Sequence, residues 1–116
     1  MRSKYFNRSE FACSCGCGFD AVYIELLEVL EDIREHFDTP VVINSACRCE
    51  THNATVGGKP NSQHRFGKAC DIIVKDITNE RVQDYVLDKY PNSKGIGTYT
   101  SFTHIDVREN KARWRG

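Results

Sequence analysis

The stretch S-Q-H-R-F-G-K-A-C-D-I-I-V, residues 62–74, changes character at its single glycine. Before Gly67 the chain is largely polar and carries His64. After it, Ala69 to Val74 is a short apolar run whose β-branched residues mark a buried strand entered through a glycine turn. Inside that run sits Asp71, and an ionised carboxylate in an apolar strand is costly unless a cation or a hydrogen-bond partner compensates it. Either a bound metal ion or an ion pair to Arg48, Arg65 or Lys68 meets that need.

The elements on either side fix what this strand packs against. Upstream, Val22, Leu26, Val29, Leu30, Ile33 and Phe37 recur at spacings of three and four, the stripe of an amphipathic helix, with Asp20 as its expected N-cap. Pro40 ends that helix, and V-V-I-N-S, Val41 to Ser45, reads as a short strand. Residues 49–56 are expected to form a short helix closed by Gly57 and Gly58, followed by the loop G-G-K-P-N-S. Downstream, Thr78 caps a second helix bearing Val82, Tyr85, Val86 and Lys89, which Pro91 terminates. G-I-G-T-Y and F-T-H-I-D-V-R then read as a hairpin. On an extended strand His104 and Asp106 share one face while Ile105 and Val107 share the other. The sum is an α+β fold, a small antiparallel sheet with helices packed on one face, and 116 residues make a single domain over 1–116.

Charge and composition exclude several roles. Sixteen basic and sixteen acidic side chains cancel, so no net field draws the chain to nucleic acid or an anionic membrane. The one basic cluster, R-E-N-K-A-R-W-R at Arg108 to Arg115, reads equally as a local patch or as a solvated C-terminus. No apolar run approaches the roughly 20 residues of a membrane-spanning helix. The N-terminus M-R-S-K-Y-F-N-R-S-E-F has positive charge without the apolar core of a secretory signal, so synthesis in a cytosol is expected. Cys13, Cys15, Cys17, Cys47, Cys49 and Cys70 leave three readings open: reduced packed thiols, disulfides, or a thiolate site for a second metal.

His64, Asp71 and His104 are the candidates for metal chemistry, with ordinary core or surface histidines as the alternative reading. Catalytic zinc takes three protein ligands from imidazole nitrogen and carboxylate oxygen and leaves its fourth position to water or substrate. Two histidines and one aspartate meet that requirement if the strands bearing Asp71 and His104 pair.

The ordered motifs S-Q-H-R-F-G-K-A-C-D, I-N-S-A-C-R, H-N-A-T-V-G-G-K-P-N-S-Q-H, G-I-G-T-Y and F-T-H-I-D-V-R resemble those of the M15 zinc metallopeptidases, in particular the short branch common in bacteriophages and bacterial envelope proteins. The resemblance covers most of residues 11–114 and implies a fold shared with D-alanyl-D-alanine carboxypeptidases and the hedgehog signalling domain. Carried over by position, it makes His64, Asp71 and His104 the ligands of one catalytic Zn2+. Arg48 becomes the group that binds a substrate carboxylate or polarises the scissile carbonyl, and Ser62 a substrate-binding or loop-supporting residue. Ser101 stands where many relatives carry the acid. Asp106 is therefore the expected general base, with a further ligand or an orienting partner of His104 as its alternatives.

The implied function is zinc-dependent hydrolysis of peptide bonds in peptidoglycan stem peptides or cross-links. The implied setting is a monomeric phage endolysin that waits in the host cytoplasm before lysis. The rival reading is a zinc-bearing wall-binding or phage structural module without catalysis.

Overall fold

In the computed structural model, which describes residues 3–13, 22–46, 53–54, 56, 64 and 67–116, the first apolar stripe forms helix α1, Ile24–Phe37. Leu26, Leu27, Val29, Leu30 and Ile33 are its buried side chains. The expected start at Asp20 is corrected: the N-cap is Tyr23, in extended conformation and without a side-chain cap bond, and Asp20 itself lies outside the described residues. The Tyr23 N–H donates to the Gly67 carbonyl at 2.9 Å, so a tertiary bond to the loop before the Asp71 strand sets where the helix begins. At its other end Asp38 adopts the left-handed conformation, φ 51°, and its N–H closes on the Arg34 carbonyl, two residues before Pro40.

Four strands follow the expected positions and a fifth joins them. They are β1 (Val41–Ser45), β2 (Ala69–Val74), β3 (Gly95–Thr98), β4 (Thr103–Asp106) and β5 (Ala112–Arg115), in the order β1-β2-β4-β3-β5. Helix α2, Asn79–Lys89, connects β2 to β3 and is capped as expected, with the Arg81 N–H donating to the Thr78 hydroxyl at 3.3 Å. The short helix expected over residues 49–56 falls mostly outside the described residues.

The first four strands pair antiparallel, but β5 joins β3 in parallel, so the sheet is mixed. Part of the basic tail is thus built into the sheet, while Lys111 and Arg115 stay exposed. The Ala112 and Gly116 N–H groups donate to the Lys94 and Thr98 carbonyls, each at 3.1 Å. The Arg113 guanidinium spends its donors on the carbonyls of Tyr90, Ser93 and Lys94. A charged side chain used this way staples the strand to the turn after α2.

The alternation of the strands decides which residues face the helices. Cys70, Ile72 and Val74 of β2, Ile96 of β3 and Ile105 of β4 are at most 1% exposed and join one apolar cluster with Leu26, Leu30 and Ile33 of α1, Val82 and Val86 of α2, and Phe6 and Phe11. Both helices therefore cover one face of the sheet. With that face filled by odd-numbered β4 residues and even-numbered β2 residues, Asp71, His104 and Asp106 must point to the opposite face.

Candidate metal centre

Strand register brings the three chemically active positions together. In the antiparallel β2–β4 pair Asp71 lies directly opposite His104, and Ala69 lies opposite Asp106. His64, from the loop that precedes β2, reaches the same point. The His64 Nε2 is 3.3 Å from Asp71 Oδ1, and the His104 Nδ1 is 2.8 Å from that same oxygen. One donor atom from each of His64, Asp71 and His104 can be chosen so that all three lie within 4.8 Å of one another. All three residues are buried, at 2%, 9% and 8% exposure.

Two glycines make room on this face. Gly95 pairs with Asp106 and Gly97 with His104 across β3–β4. A Cβ at Gly95 would overlap both Asp106 carboxylate oxygens and lie 2.6 Å from the Arg108 Nε. One at Gly97 would lie 2.5 Å from the Trp114 Nε1. The G-I-G motif is therefore a cleared trench, with Ile96 turned into the core between the two gaps.

Both rings meet oxygen acceptors. The His64 Nδ1 is 2.6 Å from the Ala46 carbonyl, which only accepts, so that nitrogen carries the proton. Its Nε2 then faces Asp71, another acceptor. His104 faces carboxylates at both nitrogens, Asp71 at Nδ1 and Asp106 Oδ2 at Nε2, the latter at 2.9 Å. Four ring nitrogens thus meet oxygen acceptors, while two neutral imidazoles own only two N–H groups. Added protons, or a cation taking the two lone pairs and the Asp71 oxygen, would each satisfy these contacts.

The titration of the groups follows from the same contacts. Burial alone would raise the Asp71 pKa, but hydrogen bonds from His104 and His64 outweigh it and hold it at about 2. For His104, burial favours the neutral ring, yet the bonds to Asp106 and Asp71 raise its pKa above the ordinary imidazole value. Asp106 is held below the usual carboxylate range because bonds from His104 and Arg108 overcome its burial.

Asp106 has no exposed surface. The Arg108 Nε donates to its Oδ1 and the Arg108 Nη2 to its Oδ2, both at 2.7 Å, while His104 Nε2 shares the second oxygen. The carboxylate lies across the imidazole from Asp71 and is held between the His104 ring and the Arg108 guanidinium. Of the other expected residues, Arg48 and Ser62 lie outside the described residues. Arg108 and Trp114 are the additions. The Trp114 ring centroid is 4.9 Å from that of His104, and the Arg108 guanidinium carbon is 5.3 Å from the centre of the Trp114 ring. The period of two that grouped His104 with Asp106 continues to Arg108, and Trp114 falls in the A-R-W with which the motif resemblance ends.

Compared with family models, the sequence matches that of Peptidase M15 over residues 4–106. The chain belongs to the M15 peptidase family. No curated protein matches it. M15 peptidases are typically zinc-dependent, and the three ligand positions of this M15 peptidase suit that ion. Zinc bonds of about 2.0–2.2 Å to nitrogen and oxygen imply tetrahedral ligand–ligand edges of roughly 3.3–3.6 Å. The 3.3 Å between His64 Nε2 and Asp71 Oδ1 falls in that range, while the 2.8 Å between His104 Nδ1 and Asp71 Oδ1 is the shorter length of a hydrogen bond. The match spans His64, Asp71, His104 and Asp106, and stops short of Arg108 and Trp114. No helix among the described residues is long and apolar enough to cross a membrane.

Proposed function

We propose that this M15 metallopeptidase hydrolyses peptide bonds of bacterial peptidoglycan, in the stem peptide or its cross-links, and that its setting is phage lysis of a host cell. The observation that supports the catalytic part is the buried group of two imidazoles and one carboxylate, whose ligand atoms lie within 4.8 Å of one another, in a chain of a zinc peptidase family. The wall substrate and the lytic setting are supported by the motif resemblance to the short M15 branch.

His64 through Nε2, Asp71 through a carboxylate oxygen and His104 through Nδ1 would hold the ion. When bound there, zinc supplies Lewis acidity towards a peptide carbonyl and lowers the pKa of water towards about 7. Ala46 fixes the His64 tautomer by accepting from Nδ1, which places the Nε2 lone pair on the Asp71 side. Burial of His64, Asp71 and His104 lowers the local dielectric and strengthens each charge interaction there. Arg48, through its always-charged planar guanidinium, would engage a carboxylate or the scissile carbonyl of the substrate.

Purified peptidoglycan of several chemotypes, incubated with zinc-loaded protein and analysed by mass spectrometry, should release peptides with new amine ends, and His64→Ala should release none. Zinc-loaded protein that frees no amine from any chemotype would refute the reading. One feature favours the non-catalytic alternative: Ser101, at the family's usual acid position, is exposed in the turn joining β3 to β4. Retained binding to the same walls with no released product is the result that reading requires.

A further inference from the structure

We infer that Asp106 and Arg108 are positioning residues that lock the His104 imidazole with its Nδ1 towards the metal, a role that rests on the zinc-site reading above. Three contacts constrain the ring. Asp71 meets Nδ1 at 2.8 Å, Asp106 meets Nε2 at 2.9 Å, and Trp114 lies against it with centroids 4.9 Å apart. A histidine that ligates through one nitrogen is fixed in tautomer and orientation by an acceptor on the other, and a carboxylate there raises its basicity as a ligand. Asp106 is placed to accept from Nε2–H and so leaves the Nδ1 lone pair on the Asp71 side.

A fully buried carboxylate needs its own restraint, and Arg108 provides it. Two parallel N–H···O bonds of 2.7 Å make a planar fork-to-fork pair, to which the Arg108 backbone N–H adds a contact to Oδ1 at 3.3 Å. The guanidinium in turn rests over the Trp114 ring, whose indole N–H donates to the Tyr99 hydroxyl at 2.9 Å. Strand β5 therefore braces the far side of the metal centre, and both bracing side chains lie beyond the span matched by the family model. Gly95 and Gly97 supply the space in which the carboxylate, guanidinium and indole fit.

The test measures zinc affinity and the His104 proton directly, and neither depends on peptidase turnover. Chelator competition should give a zinc dissociation constant about 10–100-fold weaker for Asp106→Ala and about 10-fold weaker for Arg108→Gln. Asp106→Asn, whose amide oxygen still accepts from Nε2–H, should recover part of the loss. Nitrogen-15 spectra of the zinc-loaded wild type should place the His104 proton on Nε2, with its exchange with water faster in Arg108→Gln. If burial makes Asp106→Ala fail to fold, Arg108→Gln decides alone, because the arginine side chain is 35% exposed and can be replaced without opening the core. Folded Arg108→Gln with a zinc constant within twofold of wild type and an unchanged His104 proton overturns the inference. A His104 proton on Nδ1 does the same. Wild type that binds no zinc overturns this inference together with the proposed function; wild type that binds zinc through the clamp yet hydrolyses no wall overturns the function alone.

Discussion

Acidification of the metal-free protein removes a definable part of its stability through Asp71. The carboxylate titrates at about 2 in the folded chain against an ordinary value of 3.8. At 1.36 kcal/mol per unit, the difference is on the order of 2 kcal/mol. Because the folded value is the lower one, this stability is present above pH 4 and is lost as pH falls from about 4 to about 2. His104 has the opposite sign. Burial lowers its pKa, but bonds to Asp106 and Asp71 raise it overall, so its contribution is complete below about 6.5 and is lost as pH rises through the folded value. The advantage of wild type over Asp71→Asn should therefore be widest between about pH 4 and 6.5. With an unfolding entropy of about 2.1 cal/mol/K per residue, a chain of 116 residues gains roughly 4 °C in Tm per kcal/mol, so the gap should shrink by about 8 °C on going to pH 2. Calorimetry of both proteins in chelator, from pH 2 to 8, measures it. A gap that stays constant from pH 5 to 2, or widens in acid, refutes the assignment of Asp71 as an ionised partner of the two histidines.

Other expectations concern the ion, the trench and the core. Zinc at 100 times its dissociation constant should stabilise the chain by about 2.7 kcal/mol, or roughly 10 °C in Tm, with proton release on binding and affinity falling towards pH 5 as His104 protonation competes; titration calorimetry in buffers of different ionisation heat counts the protons. Gly95→Ala should weaken zinc binding although it touches no ligand, because its methyl group would displace the Asp106–Arg108 pair; chelator competition reads the loss. Ile105→Ala, at a position with no exposed surface on the helix-covered face of β4, should cost about 2–5 kcal/mol in urea unfolding while the zinc ligands stay in place.

The parts of this molecule that could be read from sequence are those whose signal is local. The stripe of Leu26, Val29, Leu30 and Ile33, the Thr78 cap and the runs forming β1 to β4 carry their periods in adjacent residues, and each formed the expected element. The start of α1 did not follow from Asp20, because a bond from Tyr23 to Gly67, distant in sequence, fixes it. Strand β5 was hidden for a similar reason. A-R-W-R is short and basic, and its strand character comes from parallel pairing with β3 and from Arg113 capping carbonyls of the preceding turn. At the site, the carboxylate of Asp71 in an apolar strand was a local signal that left an ion pair or a metal open, and it was the ordered motifs that grouped it with His64 and His104, which the fold brings together. The environment of Asp106 was not. Its partner Arg108 reads as a surface charge until the register sets Gly95 opposite Asp106 and clears the space between them.

The central claim is that His64, Asp71 and His104 form one metal centre. A crystal of the zinc-loaded protein, with anomalous data recorded on both sides of the zinc edge, tests it most directly. The predicted result is one strong peak within bonding distance of His64 Nε2, an Asp71 oxygen and His104 Nδ1, with Asp106 still paired to Arg108 and to His104 Nε2. A peak elsewhere in the chain, or one bound through His104 Nε2 with Asp106 as a ligand, contradicts it.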